Sequence, residues 1–142
     1  MAAPASWVRC AAFHPRWQPG ETLPGPPHIW ALALHVAYWN YAVRRRITEE
    51  ERGGFPRAPS NFPSVPSKVT KAAWKEDRRL VKEQHDLLVG ALRDFDPSRL
   101  DEYAGSDTKT TYADLITGIV LHDTYHAGQI VMLKRLVASH GL

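Results

Sequence analysis

TYADLITGIVLHDTYHAGQIVMLKRLVAS, residues 111–139, decides the fold. No proline interrupts it, and Leu115, Ile119, His122, His126, Ile130, Leu133 and Val137 fall at the three- and four-residue intervals that draw one face of an α-helix. Thr110 or Thr111 can cap its start, Asp114 suits its first turn, and Gly141 stands beyond its end. The stripe is apolar except at its middle, where two imidazoles four residues apart point the same way.

The rest of the chain reads as helices separated by breakers. PHIWALALHVAYWNYAVRRR, residues 27–46, starts on a proline that a first helical turn tolerates. Apolar residues surround this segment, which predicts a largely buried helix. Its stripe Leu32, His35, Trp39 and Ala42 again carries a histidine at the centre. Residues 68–95 place Trp74, Leu80, Val81, Leu87, Leu88, Leu92 and Phe95 on one side and charges on the other, the pattern of a surface helix. Between these two lies GGFPRAPSNFPSVPS, residues 53–67, too rich in proline and glycine to be helical. So long an irregular segment in a compact domain is usually a cover or a functional loop, and Phe55 and Phe62 could line or close a pocket. Period-two alternation is too scarce for a sheet. The expectation is a single all-α domain over residues 1–142, with helices at 27–46, 68–95 and 111–139 and an irregular segment at 1–26. Three helices leave a flank open, which residues 53–67 or a second copy of the chain must cover.

At 142 residues the chain can bury a proper core. One cysteine, Cys10, excludes an internal disulfide and fits a reducing compartment. No secretory signal or membrane-length apolar run is apparent, which makes a cytoplasmic protein the expectation. The net charge of +3 and pI near 9.2 invite a nucleic-acid reading. Its best support, Arg44–Arg46, precedes an acidic run at Glu49–Glu51 and suits a helix C-terminus, so nucleic acid is not the expected partner.

Three histidines on inward stripes need partners. A buried polar group left unsatisfied costs ~1–3 kcal/mol, and three such groups would approach the ~5–15 kcal/mol that stabilises a domain. They can bond neighbouring hydroxyls and carbonyls, or they can share a metal ion. An all-nitrogen set favours zinc, nickel, copper or iron over magnesium or calcium, and three protein ligands leave a position for water or substrate. His35, His122 and His126 are therefore the candidate metal ligands. Tyr125 and Gln129 border the same face and could orient ligands or substrate, and Tyr38 is a further pocket candidate. Asp123 lies off the stripe and is a poor fourth ligand. His85, at the inward edge of its helix, could approach the site but reads better as a boundary residue.

Two stretches, HIWALALHVAYWNYAV and HDTYHAGQI, resemble the DinB-like superfamily, the second through its H-x-x-x-H-x-G-Q pattern. The resemblance spans roughly residues 15–137. It implies an antiparallel four-helix bundle, here with a shortened or irregular first helix. It also implies a divalent transition metal, zinc or nickel first and iron or copper next, on His35, His122 and His126. Relatives are implied homodimers, and the better-understood branches transfer low-molecular-weight thiols to electrophiles. This chain has Tyr125, His126 and Ala127 where relatives often carry His-Arg before Gly-Gln, which removes a contact for an anionic substrate. The expected activity is metal-dependent thiol transfer or hydrolysis, with no catalytic residue assigned. The alternative is a non-catalytic, stress-related helical bundle whose metal or histidines are structural.

Overall fold

A computed structural model describes residues 26–51, 53–105 and 109–139. It contains helices α1 (Pro26–Ile47), α2 (Lys71–Arg93) and α3 (Tyr112–Ser139), with a short 3₁₀ turn at Pro97–Arg99. The described residues contain no strand, only an isolated bridge between Tyr103 and Thr111, and the protein is all-α. The irregular segment expected at 1–26 lies outside the described residues except for Pro26, which opens α1.

Side-chain caps set the helix boundaries. The expected start at residue 68 moves to Lys71 because the Thr70 hydroxyl accepts from Ala73 N at 3.1 Å, satisfying one of the first-turn N–H groups. Thr111, not Thr110, caps α3: Asp114 N donates to Thr111 Oγ1 and Thr111 N donates to Asp114 Oδ2, both at 3.1 Å, a reciprocal capping box with Asp in the acidic position. At the end of α1 the basic run folds back on its own turn. Arg44 pairs with Glu50 at 2.5 Å, and Arg45 donates to the carbonyls of Glu50 and Glu51.

α1 is the central helix. None of its side chains from residue 29 to residue 47 is exposed, in line with its all-round apolar sequence. α3 runs antiparallel to it: Val43 and Ile47 share a core cluster with Tyr112, Leu115 and Ile119, while His35 lies beside His122 and His126. α2 runs in the same direction as α1, since Trp30 packs on Trp74 at the start and Val43 joins Leu88 at the far end. A helix of this length spans about 33 Å, so parallel neighbours need a connection that returns the whole way. That requirement accounts for the long segment from residue 48 to residue 70.

The buried stripe of α2 is Asp77, Leu80, Gln84 and Leu88. This corrects the sequence pattern in two places: Leu87 is exposed, and Asp77, assigned to the charged outer face, is fully buried. Asp77 Oδ2 accepts from Trp30 Nε1 at 2.8 Å, and its Oδ1 pairs with the Arg57 guanidinium at 2.7 Å. A buried carboxylate needs such partners, and both come from elsewhere in the chain. Along α3 the expected stripe is buried at Leu115, Ile119 and His126 and half-buried at His122, Ile130, Leu133 and Val137, while Val120, Leu121, Val131, Met132 and Leu136 are exposed. No helix of the described residues is long and apolar enough to cross a membrane.

Candidate metal centre

Between the apolar ends, the contact of α1 with α3 turns polar. His35 and His126 are buried and His122 is half-buried. One nitrogen from each ring lies within 4.8 Å of the other two. His35 Nε2 and His122 Nε2 lie 3.0 Å apart.

The opposite nitrogen of each ring has its own oxygen partner. His35 Nδ1 is 2.5 Å from the carbonyl of Asn61, which can only accept, so that nitrogen carries the hydrogen. His122 Nδ1 lies 3.1 Å from Asp123 Oδ1, and His126 Nδ1 lies 2.6 Å from Gln129 Oε1. With Nδ1 donating, a neutral imidazole turns its Nε2 lone pair to the common point. Two facing lone pairs at 3.0 Å repel unless positive charge lies between them. Proteins fix metal-binding histidines through this division of labour, one nitrogen to the ion and the other to a carboxylate or carbonyl. A tetrahedral ion with bonds of about 2.0–2.1 Å sets its nitrogens about 3.3 Å apart, which is close to the spacing of the His35–His122 pair. The donor set fits a transition ion, and the three histidines could hold one.

Burial keeps His35 ready for that role. Loss of solvent, opposed by the Asn61 hydrogen bond and reinforced by the neighbouring rings of His122 and His126, depresses its pKa to about 4. The ring is neutral at physiological pH, as a ligand must be.

A further layer holds these partners. Asp123 Oδ2 accepts from the buried Asn40 Nδ2 at 2.6 Å, so one carboxylate ties α1 to the back of His122. Gln129 Nε2 donates to the Tyr125 hydroxyl at 3.3 Å, and the Tyr125 ring stands edge-on to His126. Over His35 lies the 53–67 segment. Phe62 stacks on the imidazole with centroids 3.9 Å apart, and Asn61 Oδ1 accepts from Trp39 Nε1 at 2.8 Å. Asn61 has a φ of +71°, and Phe62 N donates to Ser60 O across it. Non-glycine residues adopt such backbone at a cost of order 1–3 kcal/mol, asparagine more readily than most. The turn is what aims the Asn61 carbonyl at His35.

The structure therefore brings together His35, His122 and His126, with Tyr125 and Gln129 beside His126. The Tyr38 ring contacts Trp39 and Phe55. His85 is exposed. Sequence reasoning set Asp123 aside as a ligand and missed it as the partner of His122, although its place next to a candidate ligand was the available signal. It also missed Asn40 and Asn61, which no periodicity marks.

The geometry can be set beside known proteins. No curated protein and no solved structure matches the chain significantly. A family model, that of the DinB superfamily, matches residues 13–130, a span that holds all three histidines, the crossover and most of the bundle. The chain belongs to the DinB superfamily.

Proposed function

We propose that the protein is a metal-dependent transferase or hydrolase whose ion, zinc or nickel with iron or copper as alternatives, is held by His35, His122 and His126. The observation that carries this reading is the convergence of three rings whose Nδ1 atoms are all engaged by oxygens. An ion with an open position favours the anion of a thiol or water near neutral pH. The chain's own residues do the rest: Phe62 and Trp39 shield the His35 side from water, and the Tyr125–Gln129 pair borders the His126 side where a substrate would be oriented. A low-molecular-weight thiol is the substrate class, and a second copy packed on Val120, Leu121, Val131, Met132 and Leu136 is the protein partner.

The test is metal content of wild type against His126→Ala, with circular dichroism as the control. We expect about one transition ion per chain in wild type and loss of that ion in the variant with helicity largely kept. Metal retained by the variant overturns the ligand assignment. A Co²⁺-substituted sample whose visible absorption shifts on adding a thiol supports the open position. An unchanged spectrum favours the second reading, a structural ion, for which the Phe62 cover over His35 is the supporting observation.

A further inference from the structure

The 53–67 segment contributes no metal-ligating side chain, yet it reaches the candidate centre three times within two residues. The Asn61 carbonyl takes the His35 Nδ1 hydrogen, the Asn61 side chain takes Trp39 Nε1, and Phe62 stacks on His35. At its other end the same segment is pinned by Arg57, which lies against the fully buried Asp77. All three contacts come from the backbone turn whose positive φ is at Asn61. We infer that Asn61 is a positioning residue, and that closure of this segment and loading of the three histidines are two halves of one equilibrium. The inference rests on the metal reading above and extends it to how the site is controlled.

The physical reason is reciprocity. An ion on Nε2 withdraws electron density from the ring and strengthens the Nδ1–H bond to the Asn61 carbonyl. A carbonyl held at Nδ1 in turn makes Nε2 the better donor. Whatever free energy the ion adds to loop closure, loop closure must add to ion binding. A substrate that enters from this side displaces Phe62 and loosens Asn61, so access to the site and retention of the ion are opposed.

The experiment is hydrogen exchange across residues 57–65 of the full chain, metal-free and with Zn²⁺, together with Zn²⁺ affinity by competition with a chromophoric chelator. The Phe62 and Ser64 amides, which donate to Ser60 O and Ala58 O, are the reporters. Zn²⁺ should slow their exchange by about tenfold or more. Asn61→Val, a β-branched residue barred from positive φ, should weaken Zn²⁺ binding by about 10- to 100-fold with the helical circular dichroism intact. Asn61→Gly, which keeps the backbone and loses only the bond to Trp39, should retain most of the affinity. Zn²⁺ bound by wild type with loop exchange unchanged overturns the coupling, as does Asn61→Val binding like wild type. Failure of wild type to take up any transition ion is a different result: it overturns the metal reading itself and this inference with it.

Discussion

Asp123 joins His122 to Asn40 and so serves the centre without facing it. Replacing it by alanine should weaken Zn²⁺ binding by about 10- to 100-fold. It should also strand the buried Asn40 amide at ~1–3 kcal/mol, so chelator competition and urea unfolding should both report the change. His35 predicts a pH dependence. Its pKa is about 4 in the folded protein against an ordinary value of 6.5, so between these values the unfolded chain binds more protons. Metal-free protein should therefore lose stability as the pH falls from about 7 towards 4, by about 3 kcal/mol in all, and level off below. Urea unfolding across this range, beside His35→Leu, checks it; an equally steep fall in the variant assigns the effect elsewhere. The histidines were legible because helical spacing reports a shared face. Gln129, the partner of His126, was legible from the same face, but the Asn61 carbonyl was not, because it lies 26 residues from His35 in a segment without periodicity.

The helices were legible as elements because breakers separate them; their starts shifted where a hydroxyl satisfied backbone N–H groups, and α2 stopped at Arg93, two residues short of the expected end, with Asp94 N donating to Gly90 O. Thr111→Ala should cost about 1 kcal/mol by removing the α3 cap, read from the urea midpoint. The polar stripe of α2 was not legible, since Asp77 looks like a surface charge until Trp30 and Arg57 are brought to it. Arg57→Ala leaves that carboxylate buried without its cation and should destabilise by about 3–5 kcal/mol. Arg57→Leu combined with Asp77→Leu should recover part of the loss. A loss below 1 kcal/mol in the single variant would mean that water reaches Asp77.

On the scale of the molecule, α1 holds the fold together, with α2 parallel to it, α3 antiparallel, and the crossover laid back over the histidines. Composition and pattern indicated an all-α chain; the directions of the helices were not in the pattern, because amphipathic stripes do not encode which way a neighbour runs. An ion held by His35 and the α3 pair would bridge the first and last of these helices. Zn²⁺ at a hundred times its Kd should add about 2.7 kcal/mol, raising Tm by about 5–10 °C, and a chelator should reverse the shift in a thermal melt. The separation of the ligands has a consequence for biosynthesis. His35 and His122 are 87 positions apart, so for most of its synthesis a chain emerging from the ribosome presents His35 without either of the two rings that face it in the fold. A site built from these three rings is complete only once the last helix is released, so an ion that needs all of them would be taken up after synthesis.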